Sequence, residues 1–96
     1  MIIARVIGSA VSTIKESKLT GLKLLIVQKT SPSNELVGEP FIAADTVGAG
    51  EGELVIISQG SSARQTSKTT DSPVDSAIIG ILDSLEVDRD VTFRKS

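Results

Sequence analysis

Apolar residues in this chain come in short runs rich in Ile and Val, broken by glycine, proline and serine, and that rhythm predicts strands. Ile2 to Ser12 reads as a long first strand, with Gly8 marking a bulge or a bend. Lys15 to Gly21 reads as a polar connection. Lys23 to Gln28 is an apolar run suited to a strand buried on both faces. Ser31-Pro32-Ser33-Asn34 is a turn cluster, because proline fixes one dihedral and asparagine tolerates left-handed geometry. Phe41 to Val47 reads as a third strand. Gly48-Ala49-Gly50-Glu51-Gly52 then leads into Leu54 to Ile57, a fourth strand ending at Gly60.

Beyond Gly60 the pattern changes. Ser61-Ser62-Ala63-Arg64 suits a single helical turn, capped by a serine hydroxyl. Gln65 to Ser72 has no large apolar residue and reads as a mobile surface loop. Val74, Ala77, Ile78, Ile81, Leu82 and Leu85 fall at helical spacing, yet Ile78-Ile79-Gly80-Ile81-Leu82 is a β-branched run with an internal glycine. The local pattern favours a strand there. Val91-Thr92-Phe93 reads as a short edge strand after an Asp88-Arg89-Asp90 turn. Five or six short strands with glycine-marked bends predict a small all-β barrel or sandwich, one domain over residues 1–96. There is no strand–helix alternation to support a parallel sheet.

Composition narrows the function classes. The chain has no Cys, which removes disulfides and thiolate metal sites and makes a reducing cytoplasm the plain expectation. It also has no His, so the usual general base at neutral pH is missing, and its scattered carboxylates form no visible catalytic pair. Neither a signal peptide, a membrane-length apolar run nor an EF-hand spacing is visible, and no cofactor or metal is expected. The glycine-rich run lacks the Lys-Ser/Thr ending of a phosphate loop, and Glu51 and Glu53 would repel phosphate. A small barrel also raises single-stranded nucleic-acid binding. That role needs a basic groove with aromatic platforms, whereas the net charge is −2 and Phe41 and Phe93 are the only aromatics.

The charge is unevenly spread. Residues 1–30 carry five basic groups against one acidic, and residues 31–60 carry five acidic groups and no basic one. Such a division suits head-to-tail association between copies, and equally suits solvated loops of either sign.

Asp45-Thr46-Val47-Gly48-Ala49-Gly50-Glu51-Gly52-Glu53-Leu54-Val55 resembles the signature of bacterial microcompartment vertex proteins, the EutN/CcmL family. Gly60-Ser61-Ser62-Ala63-Arg64 is similar to a second motif, and Pro73-Val74-Asp75 leading into Ile78 to Asp83 is similar to a third. Arg5-Val6-Ile7-Gly8 and Leu22-Lys23-Leu24-Leu25 also fit, so the resemblance covers nearly the whole chain. It looks nearest to the ethanolamine-utilisation type through Ser-Ser-Ala-Arg-Gln and the closing Val91 to Lys95.

The resemblance implies a five-stranded OB-like barrel with a short helical turn, assembled as a cyclic pentamer. Such pentamers cap the vertices of a cytoplasmic protein shell tiled by hexamers, a structural role without catalysis. It makes Ile78 to Asp83 a strand. It also points to Asp45, Val47, Gly48, Ala49, Gly50, Gly52 and Glu53 as an assembly loop near the ring axis, where small residues let backbones approach. Gly60, Ser61, Ser62, Ala63, Arg64 and Asp75 are then candidates for the interface or for pinning a loop, as is Asp45.

Overall fold

The computed structural model of the chain describes residues 1–10, 23–60 and 75–95. The expected connection at Lys15 to Gly21, the Ser61–Arg64 turn and the Gln65–Ser72 loop lie outside the described residues. Among the described residues there are seven strands: β1 (Ile2–Ser9), β2 (Lys23–Lys29), β3 (Phe41–Asp45), β4 (Leu54–Gln59), β5 (Ser76–Ile81), β6 (Ser84–Val87) and β7 (Asp90–Arg94). The first five close into a barrel in the order β1-β2-β3-β5-β4, and β6 and β7 form a separate hairpin. Among the described residues, no helix is long and apolar enough to cross a membrane.

Alternation builds the barrel. Ala4 and Val6 of β1, Leu25 and Val27 of β2, Ala43 of β3, Val55 and Ile57 of β4, and Ile78 of β5 meet in one buried cluster. Period-two side-chain geometry sends their neighbours outward. The second strand therefore differs from expectation. Leu25 and Val27 are buried while Leu24 and Ile26 are half-buried, so β2 has one fully buried face and not two. Leu24 instead joins Ala44, Ala77 and Ile79 in a second, smaller cluster. Alanines at several core positions suit a narrow barrel, whose taper leaves little volume between facing strands.

Gly8 stands where a break was expected. The β1–β2 register slips between Val6 and Gly8, and a Cβ on Gly8 would already touch the Ile26 Cδ1 at 3.7 Å. A bulge there raises local twist and helps the strand turn the barrel's corner. The Ser31 cluster is also a turn. Its hydroxyl accepts from the N–H groups of Ser33 and Glu35, and Asn34 takes a φ of 64°.

The seam was not expected. β3 and β5 run parallel, with Ala44 opposite Ala77 and Asp45 opposite Ile78, while every other barrel pairing is antiparallel. Strand–helix alternation, the usual sign of parallel pairing, cannot reveal a single parallel contact that closes a barrel.

Val91 to Phe93 is the short edge strand expected there; it lies in β7 and pairs with β6 in a two-stranded hairpin apart from the barrel. Asp88 and Arg89 both have positive φ, 50° and 70°, the signature of a two-residue I′ turn. In mid-strand the Thr92 hydroxyl ties the hairpin to the Ser31 turn by donating to the Pro32 carbonyl at 2.6 Å, and at the base the Lys95 N–H extends the ladder to the Asp83 carbonyl at 2.7 Å.

Candidate assembly site

The segment from Asp45 to Glu53 leaves β3 and returns into β4 as a closely bonded loop. Asp45 is 6% exposed, and its Oδ1 accepts from the N–H groups of Val47 at 3.0 Å and Gly48 at 3.1 Å. A short carboxylate that reaches its own backbone two residues on replaces a turn hydrogen bond, so the chain bends as it leaves the strand. Thr46 fixes the bend to the seam by donating from its hydroxyl to the Ile78 carbonyl at 2.6 Å.

The second half is a reciprocal turn. The Glu53 N–H donates to the Gly50 carbonyl at 3.1 Å, and the Gly50 N–H donates to the Glu53 Oε1 at 2.6 Å. Gly52 holds a φ of 89°, which a side chain would strain in a turn of this kind. Backbone bonds then lace the turn to β1, from Gly52 N–H to the Val6 carbonyl and from Val6 N–H to the Glu53 carbonyl.

The small residues of this loop point to different places. Ala49 is 1% exposed and packs inside the barrel with Ala43, Val55 and Ile57, so its methyl plugs one protomer's core. A Cβ on Gly50 would come within 3.3 Å of the Glu53 carboxylate, whereas one on Gly48 would meet nothing within 4 Å. A substitution at Gly50 therefore disturbs its own turn first and cannot isolate crowding between copies. Val47, Gly48, Glu51 and Gly52 form the exposed part of the loop.

Sequence reading gave Arg5 no separate role, and it proves to be a junction. Its guanidinium donates to the Gly52 carbonyl at 2.7 Å and to the Asn34 Oδ1, and lies 5.7 Å from the centre of the Phe93 ring. One side chain thus joins β1, the glycine loop, the Ser31 turn and the hairpin, a task suited to a planar fork with several donors. The only sequence signal was a lone cation within an Ile/Val run. Lys23 Nζ also reaches the Ala49 carbonyl, at 3.5 Å. Two cations of the basic segment therefore already bond within their own chain, though to neutral oxygens.

Glu53 also holds the hairpin, through an ion pair between Oε2 and the Lys95 Nζ at 2.8 Å. Lys95 and then the Gly50 N–H hold the Glu53 carboxyl below its usual range, and the same pairing raises Lys95. A carboxyl lowered on folding adds stability above its ordinary range and loses it as pH falls through the folded-state value. A raised ammonium does the reverse, losing its contribution as pH climbs through its own folded-state value. Glu53→Gln should therefore be less stable than wild type at neutral pH, with the gap closing in acid. Denaturant midpoints measured from pH 7 down to pH 3 check this, and a gap independent of pH would show that the ion pair contributes nothing.

The remaining expected residues divide in two. The Gly60 N–H donates to the Asp75 carbonyl at 2.8 Å across the barrel's β4–β5 end, so these two are brought together. Ser61, Ser62, Ala63 and Arg64 lie outside the described residues. Among the described residues, no group of acidic side chains could hold a metal ion. Phe41 packs against the barrel core and Phe93 sits beneath Arg5, so neither is a free platform for stacking a base.

A family model described as ethanolamine utilisation protein EutN/carboxysome matches residues 1–83. The chain belongs to the EutN/CcmL family. It is 43% identical over 95 residues to the carboxysome shell vertex protein CcmL of Thermosynechococcus vestitus, covering 99% of this chain and 96% of that one. A solved carboxysome subunit, CcmL, superposes with a TM-score of 0.94 at 38% identity over the whole of both chains. The pentameric microcompartment shell protein GrpN of Rhodospirillum rubrum superposes with a TM-score of 0.83 at 45% identity, covering 91% of this chain and 99% of that one. EutN of Escherichia coli is 41% identical over 95 residues, so overall identity does not single out the ethanolamine-utilisation type over the carboxysome type.

Proposed function

We propose that this EutN/CcmL family member is a structural shell protein that forms rings of five and caps the vertices of a bacterial microcompartment in the cytoplasm. The observation that carries the reading is full-length likeness in both sequence and fold to vertex proteins, one of them pentameric. Hexameric shell proteins are the partners on the flanks of such a ring. The role is non-catalytic, in keeping with a chain that has neither His nor Cys to serve as base or nucleophile.

The exposed part of the glycine loop, Val47, Gly48, Glu51 and Gly52, is the element assigned to the ring's axis, with Asp45, Ala49, Gly50 and Glu53 setting its shape from within. Gly60 and Asp75, with the Ser61-Ser62-Ala63-Arg64 motif between them, are assigned to the neighbouring copy or to pinning that segment. A ring of identical copies needs two different surfaces on each, and five such contacts close when the rotation is right.

The native mass of the purified protein is the first test. A species of five chains that co-assembles with shell hexamers is the expected result. A stable single chain at micromolar concentration would overturn the proposal.

A further inference from the structure

A closed ring is built from one surface that leads and another that receives, since a self-complementary patch yields only pairs. Among the described residues are a raised apolar feature and an apolar hollow, with Leu36, Val37, Ile42 and Val47 exposed elsewhere. The raised feature is the tip of the β6–β7 hairpin, where Val91 is 47% exposed beside the Asp88–Arg89 turn and shares its face with Glu86, while Val87, 36% exposed, lies on the other face opposite Asp90. The hairpin is held to the rest of the chain in mid-strand through Thr92 and at its base through Lys95, and Val91 stays exposed on the tip side of both contacts. The hollow is a cavity of about 410 Å³ walled by Ile2, Ile3 and Ile56 of the barrel and by Leu82 and Leu85 at the root of the hairpin. Ile3 and Ile56 are cross-strand partners on the outer face of β1 and β4.

Two further observations favour a second copy as the occupant. Charge is one of them. The tip carries Glu86, Asp88 and Asp90 against Arg89, while Lys29 is the one charged side chain among the described residues that line the hollow. The other is Thr30, which lines the hollow and is 3% exposed, yet its hydroxyl has no hydrogen-bond partner among the described residues. A buried hydroxyl without a partner is costly, and an incoming carboxylate or carbonyl would supply one.

We infer that the hairpin tip of one copy seats in the hollow of the next, with Val91 leading and the tip's carboxylates meeting Lys29. This rests on the ring proposed above and adds the contact that makes it. Valine against isoleucine and leucine supplies apolar burial, and the opposed charges set the direction of approach.

Two variants test it, separately and mixed, by native mass with circular dichroism to check the strands. Val91→Asp spoils the tip and leaves the hollow sound. Ile56→Glu spoils the hollow and leaves the tip sound. With wild type at five chains, each variant alone should run as one chain with an unchanged strand spectrum. An equal mixture should give a species of two chains, because one sound tip then finds one sound hollow. If Ile56→Glu fails to fold, Lys29→Glu replaces it and should weaken assembly on the order of tenfold by dilution. Either tip or hollow variant remaining at five chains, or a mixture without the two-chain species, would overturn the inference and leave the vertex proposal standing. A single-chain wild type would instead defeat the vertex proposal itself.

Discussion

Replacing Ile57 with alanine is expected to lower the unfolding free energy by about 2 to 5 kcal/mol, the usual cost of removing a large aliphatic side chain from a packed core. Ile57 is fully buried, as is Ile78, and the two are register partners across β4 and β5. Both face the barrel axis, where Ala4 and Ala43 are too short to fill a vacated space. Ile78→Ala should cost a similar amount. The double variant should cost less than both together, because the two cavities merge and the strands around them relax once. Thermal midpoints should fall by roughly 10 °C or more for each single change, at about 4 to 8 °C per kcal/mol for a domain of this length. Scans must be run at one protomer concentration, since assembly itself stabilises the fold. Losses below about 1 kcal/mol would mean that the barrel can collapse around the gap.

Asp45→Ala is expected to cost about 2 kcal/mol and to loosen the glycine loop. Its carboxylate gathers two backbone N–H groups at a buried site, and hydrogen bonds to a charged acceptor are worth about 1.5 to 3 kcal/mol each where water cannot replace them. Val47 and Gly48 are both exposed, so water replaces part of each bond and the net loss is about that of one. Asp45→Asn keeps an oxygen in the same place and should recover most of the loss. Urea unfolding of the three proteins decides the matter. Equal stability of the alanine and asparagine variants would mean that the charge matters and the turn geometry does not.

The strands were legible because their signals are local. Alternation, β-branching and punctuation by Gly8, Asn34 and the 48–52 run marked β1 to β4, and the β-branched run at Ile78 outweighed its helical spacing. β6 was missed because Ser84-Leu85-Glu86-Val87 is short and its only partner is the segment just after it. The parallel seam was missed for a different reason, since pairing between β3 and β5 joins residues more than 30 positions apart and leaves no local trace. Within the assembly loop, composition marked small residues correctly but not their directions. Whether Ala49 turns into the barrel depends on the Asx bend at Asp45, a geometric fact that a string of glycines and alanines does not encode. Arg5 and the Glu53–Lys95 pair are likewise long-range contacts, visible only once the hairpin has folded back on the barrel.

The seam also sets a timetable for biosynthesis. Four staves of the barrel are synthesised before residue 76, but the fifth lies between β3 and β4 and must arrive before either is protected. A nascent chain that has emerged from the ribosome only as far as Gln59 exposes two raw edges, each a template for pairing with another nascent chain on the same message. Distant pairing of this kind is slow to form. Polysomes translating this sequence should therefore depend on chaperone protection until β5 has emerged and closed the barrel.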